Sequence, residues 1–255
     1  MCANVSEPKP EPEGMQRLAD TIGDRNAKRL LQTHGVTSRL ADGSLLTGIQ
    51  TLREEFGISG DGLVTFMSNS VAARLENEAF WAGPRRLDQE FGVSGDRLVT
   101  FMYDGVAARL GDEAFWAGLT RLGELGIASD GLVTFMSGSV AARLDNDDFM
   151  DGLSSLCSEL SPPVVIDLLK KNNAFASRLT VEYARSVLNI TRHLDSHGLD
   201  GAKCLKTLIG QTPLVGKVPE LEALLLSADS PDSIESELQR FRGSYAHKRA
   251  MAATL

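Results

Sequence analysis

Five arginines recur along the chain at intervals of 34 or 35 residues: Arg39, Arg74, Arg109, Arg143 and Arg178. A guanidinium is permanently charged and presents a planar fork of donors that matches carboxylates and phosphates. Stacked into one ridge, the five form a candidate binding column for an acidic protein surface or a nucleic-acid backbone. The same period carries Asp61, Asp96 and Asp130. The favoured expectation is therefore an internal Arg–Asp ladder, in which breaking a buried pair costs ~3–5 kcal/mol. A ligand-facing ridge is the alternative.

A second set of candidates lies just before three of these arginines. The words Leu-Val-Thr-Phe-Met and Val-Ala-Ala-Arg-Leu occur three times, and only the triplet between them changes. It reads Ser68-Asn69-Ser70, then Tyr103-Asp104-Gly105, then Ser137-Gly138-Ser139. A readout position in a modular binder has this form. An exposed turn, which buries little and tolerates change, has it too and is the simpler expectation.

Catalytic chemistry finds little support. There is no nucleophile elbow, phosphate loop, zinc signature or paired-cysteine motif. His193 and His197 share a helix face four residues apart, but no second half-site accompanies them, so a helix end is the expectation. The acids of Asp145-Asn146-Asp147-Asp148 suit helix capping better than calcium, because the glycine and distal glutamate of a calcium loop are missing. Cys157 and Cys204 stand in apolar contexts and read as small core residues. No catalytic residue, metal or cofactor is expected.

The elements that must position these residues follow from an internal repeat. Residues 56–90, 91–125 and 126–160 are three clear copies, with weaker ones at 21–55, 161–195 and 196–228. A repeat of this length marks a stacked helical array. In each copy a first helix carries an apolar stripe such as Leu63, Phe66 and Met67. Were that helix unbroken, Arg74 would fall about 20° from Leu63 on the wheel, inside the stripe. A break at the variable triplet avoids that burial. A short helical piece then bears Val-Ala-Ala-Arg-Leu, and a longer last helix starts near Asn77, Asp112 and Asn146. Gly83, Gly118 and Gly152 allow close approach of a neighbouring helix, and Pro84 is predicted to kink its copy. Pro162 and Pro231 each open a helix. The predicted fold is all-α: a right-handed α-solenoid of about five to six repeats of 34–35 residues with capping helices. A disordered tail over 1–14 precedes a single array over 15–243, and a tail over 244–255 follows.

Composition sets the outer bounds. The chain has 255 residues, 42% of them hydrophobic and 24% charged, as in globular proteins. Its net charge of −8 divides into −1 over 1–55, −9 over 56–160 and +2 over 161–255. An acidic middle cannot supply the counterion release that dominates nucleic-acid affinity. No apolar run approaches the ~18 residues that span a bilayer, so no membrane partner is expected. The opening residues lack the features of a signal or transit peptide. Three scattered cysteines suit a reducing compartment, and the expected location is intracellular, cytoplasmic or nuclear. Oligomeric state is not legible.

Several of these words also resemble known families. Leu125-Gly-Ile-Ala-Ser-Asp-Gly-Leu-Val133 resembles the start of a repeat in mitochondrial transcription termination factors. The variable residues after the first helix resemble the base-specifying pair of transcription activator-like effectors. Val64-Thr65-Phe66 and Arg74-Leu75-Glu76-Asn77-Glu78-Ala79 resemble pentatricopeptide repeats, although their separation is about four residues shorter than in that family. The proline of termination factors is replaced by Val71, Val106 and Val140, and the effectors' double glycine by Ala72-Ala73. These resemblances imply a nucleic-acid ligand read near Ser70, Gly105 and Ser139.

Two functional expectations result. The first is a non-catalytic helical-repeat scaffold that binds a protein partner through its concave surface. The alternative is a modular nucleic-acid binder, for DNA or RNA, that uses the triplet and the arginine column.

Overall fold

Left-handed backbone opens each first helix. Gly60 and Gly95 have φ of 54° and 57°, and the third copy places Ser129 at the same position with φ 48°. Helices follow at Gly60–Phe66, Gly95–Phe101 and Asp130–Met136 (α5, α7 and α10). Short helical pieces then occupy Ala72–Arg74, Val106–Arg109 (α8) and Ala141–Arg143. The break predicted between the two words falls on residues 68–70, 103–105 and 137–139, outside the described residues. The last helices, Glu78–Phe91 (α6), Glu113–Glu124 (α9) and Asp147–Glu159 (α11), begin at the expected residues. Asn77 and Asp112 accept from the amides of Ala79 and Ala114, and Asn146 accepts from that of Phe149. Such caps satisfy amides that a helix start otherwise leaves unpaired. Pro84 lies buried within α6, which continues to Phe91.

The computed structural model describes residues 12–33, 36–41, 43–67, 71–75, 77–102, 106–136, 140–209 and 215–252. It is 79% helical, with no strand among the described residues. Before the three clear copies come α1 (Pro12–Ile22), α2 (Asp24–Leu30), α3 (Val36–Ala41) and α4 (Ser44–Glu54). After them come α12 (Pro162–Lys171), α13 (Asn173–Arg178), α14 (Val181–Ser196), α15 (Gly201–Ile209), α16 (Val218–Leu225) and α17 (Pro231–Ala252). Among the described residues, no helix is long and apolar enough to cross a membrane.

The described residues form two compact units, one drawn from Met1–Trp116 and Ala128–Val133, the other from Ala117–Ile127 and Thr134–Leu255. In the first, α2 packs on α5 and α5 on α7. Its core includes Phe66, Phe101 and Phe115, all but inaccessible to solvent. Trp81 and Trp116 are buried too, and each indole N–H donates to a main-chain carbonyl, of Leu75 and Leu110 respectively. In the second unit α14 is the hub, packed against α11, α15 and α16. Phe135, Phe149 and Phe175 are buried there. Full burial of such a side chain is worth about 1.5–3 kcal/mol.

One contact recurs at the repeat period. A Cβ on Gly48 would lie 2.7 Å from Leu75, and one on Gly83 would lie 2.8 Å from Leu110. Gly118 meets Leu144 at 2.6 Å, and Gly152 meets the Thr180 carbonyl at 2.6 Å. The last helix of a copy is therefore glycine where the Val-Ala-Ala-Arg-Leu segment of the next copy, or its Arg178-Leu179-Thr180 counterpart, presses against it. This is the close approach that Gly83, Gly118 and Gly152 were expected to allow.

Candidate binding surface

The arginine column is largely turned into the protein. Arg143 donates to the main-chain oxygens of Ala176 (2.5 Å) and Leu179 (3.0 Å), at the C-terminal end of α13. Its guanidinium carbon stands 4.8 Å from the centre of the Phe149 ring. A cation suits the carbonyls at a helix end, and the ring face adds a cation–π contact. Burial lowers the Arg143 pKa, opposed by the nearby Asp148 charge. Arg109 donates to Asp112 at 3.0 Å and lies over Phe115, while the hydrogen bond holds the Asp112 carboxyl below its usual pKa. Arg39 and Arg74 are half-buried. Arg178 alone of the five is exposed.

Two of the three aspartates expected to face these arginines, Asp61 and Asp130, have other partners. Asp61 pairs with Arg29, and Asp130 with Arg97. The first-turn acids lie on helices that pack side by side, so their partners come from that same layer. Arg109 instead meets the acid that caps the helix immediately following it. A different ladder runs along the last helices and was not anticipated. Arg86 faces Glu113 at 3.9 Å, and in the same register Arg121 faces Asp147 at 2.9 Å. Arg85 bonds both Glu55 and Glu78. These pairs are exposed, and each is worth ~0–1 kcal/mol. Their signal, an arginine recurring at 86 and 121 and an acid at 78, 113 and 147, was present in the sequence.

The triplets Ser68-Asn69-Ser70, Tyr103-Asp104-Gly105 and Ser137-Gly138-Ser139 lie outside the described residues. The two histidines come together with ring centres 4.5 Å apart. Nε2 of His193 lies 3.1 Å from the Ala228 carbonyl, and Nδ1 of His197 lies 2.9 Å from the His193 carbonyl. Among the described residues, no three His, Cys, Asp or Glu side chains converge as a metal site would require. The acid run works in capping: besides Asn146, Asp148 accepts from the Val181 amide at the start of α14.

Sequence reasoning missed a cleft of about 500 Å³ between the end of α13, the first turns of α14 and the start of α16. Arg178 and Arg185 bring positive charge to it, and Glu182 and Glu222 bring negative charge. Glu182 pairs with Arg185 at 3.2 Å, and Glu222 accepts from Asn189 at 2.7 Å. Tyr183, 8% exposed, donates its hydroxyl to the Val215 carbonyl, and burial holds its phenol well above the usual pKa. Ser186 also lines the cleft and is only 5% exposed. A larger cleft of about 640 Å³ lies in the first unit. There Arg17 pairs with Glu13, Gln50 bonds Glu54 and Arg53 donates to the Thr21 carbonyl.

Compared with protein-family models, with curated proteins and with solved structures, the chain matches none of them.

Proposed function

We propose that the protein is a non-catalytic scaffold, an α-solenoid of 34–35-residue repeats over residues 15–243, that binds a protein partner through its concave surface. The recurrent glycine–leucine contact between successive copies supports the repeat layout, since a stacked array needs one interface used again and again. What favours a protein over a nucleic acid is chiefly the orientation of Arg143. A guanidinium that holds two main-chain oxygens of its own protein and lies on a phenylalanine ring is not presented to a phosphate. Arg109 is similarly engaged by Asp112, and the stretch that carries both arginines has a charge of −9 over 56–160.

A salt titration tests the choice. Fluorescently labelled single- and double-stranded oligonucleotides of mixed sequence are titrated with the full chain at about 50 mM and 200 mM salt. The scaffold reading expects no saturable binding even at the lower salt. Saturable binding that weakens steeply as salt rises would overturn it and return the triplets and the arginine column to a nucleic-acid role.

A further inference from the structure

We propose that His193 and His197 form a two-histidine clip for a divalent transition cation such as Zn²⁺, at the C-terminal end of α14. The inference goes beyond the scaffold reading and does not rest on it. α14 ends at Ser196 with His197 as its C-cap, so the two imidazoles stand four residues apart on one face.

Main-chain carbonyls settle the tautomers. A carbonyl oxygen only accepts, so the ring nitrogen that faces it carries the proton. Nε2 of His193 donates to the Ala228 carbonyl at 3.1 Å, and Nδ1 of His197 donates to the His193 carbonyl at 2.9 Å. The Ser196 hydroxyl, 3.2 Å from Nδ1 of His197, does not alter this, because it donates to the His193 carbonyl as well. Each neutral ring then keeps its lone pair on the other nitrogen, Nδ1 of His193 and Nε2 of His197. Metal-bound histidines are oriented in the same way, with one nitrogen given to a carbonyl and the other to the ion.

The spacing of the rings agrees. Zn²⁺ binds imidazole nitrogen at about 2.0–2.1 Å, which sets the centres of two rings on one ion about 4.5–5 Å apart for ligand angles of about 90–110°. The centres of His193 and His197 are 4.5 Å apart. Both residues are half-buried, so the rings are held while an ion can still reach them. The segment from 193 to 200 carries Asp195 and Asp200 and no lysine or arginine, which favours a cation nearby. Each acid gives an oxygen to a main-chain amide, of Gly201 and Lys203, and neither joins the pair as a third ligand.

A resident ion takes three or four protein ligands, and no such set converges among the described residues. Two imidazoles make a labile clip instead, with water in the remaining positions. Imidazole selects Zn²⁺, Ni²⁺ and Cu²⁺ over Mg²⁺ and Ca²⁺, which take oxygen.

The experiment follows the imidazole protons of the full chain by NMR while zinc chloride is added. The rings of His193 and His197 should shift together with one Kd of about 1–100 µM, since the clip has half the ligands of a structural zinc site. His197→Gln should leave the amide spectrum unchanged away from the end of α14. It should weaken the response of His193 at least about tenfold, because a single imidazole has lost the chelate. His193→Gln, which keeps a donor for the Ala228 carbonyl, should weaken His197 by as much. Magnesium chloride at about 1 mM should shift neither ring. A pair that only closes the helix end would bind zinc no more tightly than either variant. The proposal is overturned by a Kd weaker than about 100 µM, by different Kd values at the two rings, or by undiminished binding in either variant. An equal response to magnesium, or zinc bound elsewhere with these two rings unshifted, also overturns it. None of these outcomes bears on the oligonucleotide titration, so the clip and the scaffold reading can fail separately.

Discussion

At the scale of single residues, type and spacing were legible while partners were not. The recurrence of Arg39 through Arg178 is plain in the sequence, yet a guanidinium on a long side chain is placed by what surrounds it. Arg143 took carbonyls from α13, and Arg109 took the cap of its own next helix. Cys157 is the opposite case, because its apolar neighbours already implied a core thiol. The structure places it half-buried, and burial pushes its thiol up to about 11. Only the thiolate attacks an alkylating agent, so at pH 8 about one thiol in a thousand is reactive. In a chain carrying Cys2→Ala and Cys204→Ala, iodoacetamide should label Cys157 slowly at pH 8. The rate should climb about tenfold per pH unit up to pH 10, as followed by intact mass. Complete labelling within minutes at pH 8 would show that the thiol is neither buried nor raised.

At the scale of elements, local chemistry carried most of the reading. The caps Asn77, Asp112 and Asn146 sit where short polar residues precede acids, and each accepts the expected amide. Ser59 precedes α5 as expected, but its side chain makes no capping bond. The left-handed position beside it was not foreseen. Gly60 and Gly95 adopt it freely, whereas Ser129 adopts it at a steric cost. Ser129→Gly should therefore raise stability by up to about 1 kcal/mol in a urea melt, despite the extra freedom glycine has when unfolded. The opposite sign is expected at Gly152, where a methyl group would meet the Thr180 carbonyl at 2.6 Å. Backbone on both sides leaves little room to give. Gly152→Ala should cost about 1–3 kcal/mol, although alanine is the better helix former by about 1 kcal/mol. A neutral result would mean that the two segments separate readily.

At the scale of the molecule, an all-helical chain was legible from the repeat and its period, and the two clefts were not. The Arg178 cleft draws on residues from 177 to 222, of which Arg178 continues the repeated arginine, and they come together only when α13, α14 and α16 fold around one another. The −9 over 56–160 was legible from the outset, and the structure adds where it is spread. Asp61, Glu78, Glu113, Asp130 and Asp147 are exposed, and each is joined to an arginine by an ion pair.

The glycine–leucine contact has a consequence for how such a chain changes over generations. Both halves of the contact, the hollow at Gly83 or Gly118 and the side chain of Leu110 or Leu144 that fills it, are written inside the same repeated segment. A duplication or loss of one whole segment leaves every junction with a hollow on one side and a leucine on the other. Length can therefore vary by whole segments without a new junction having to be invented. Such a chain counts in whole segments, and fractional insertions are the changes it tolerates least.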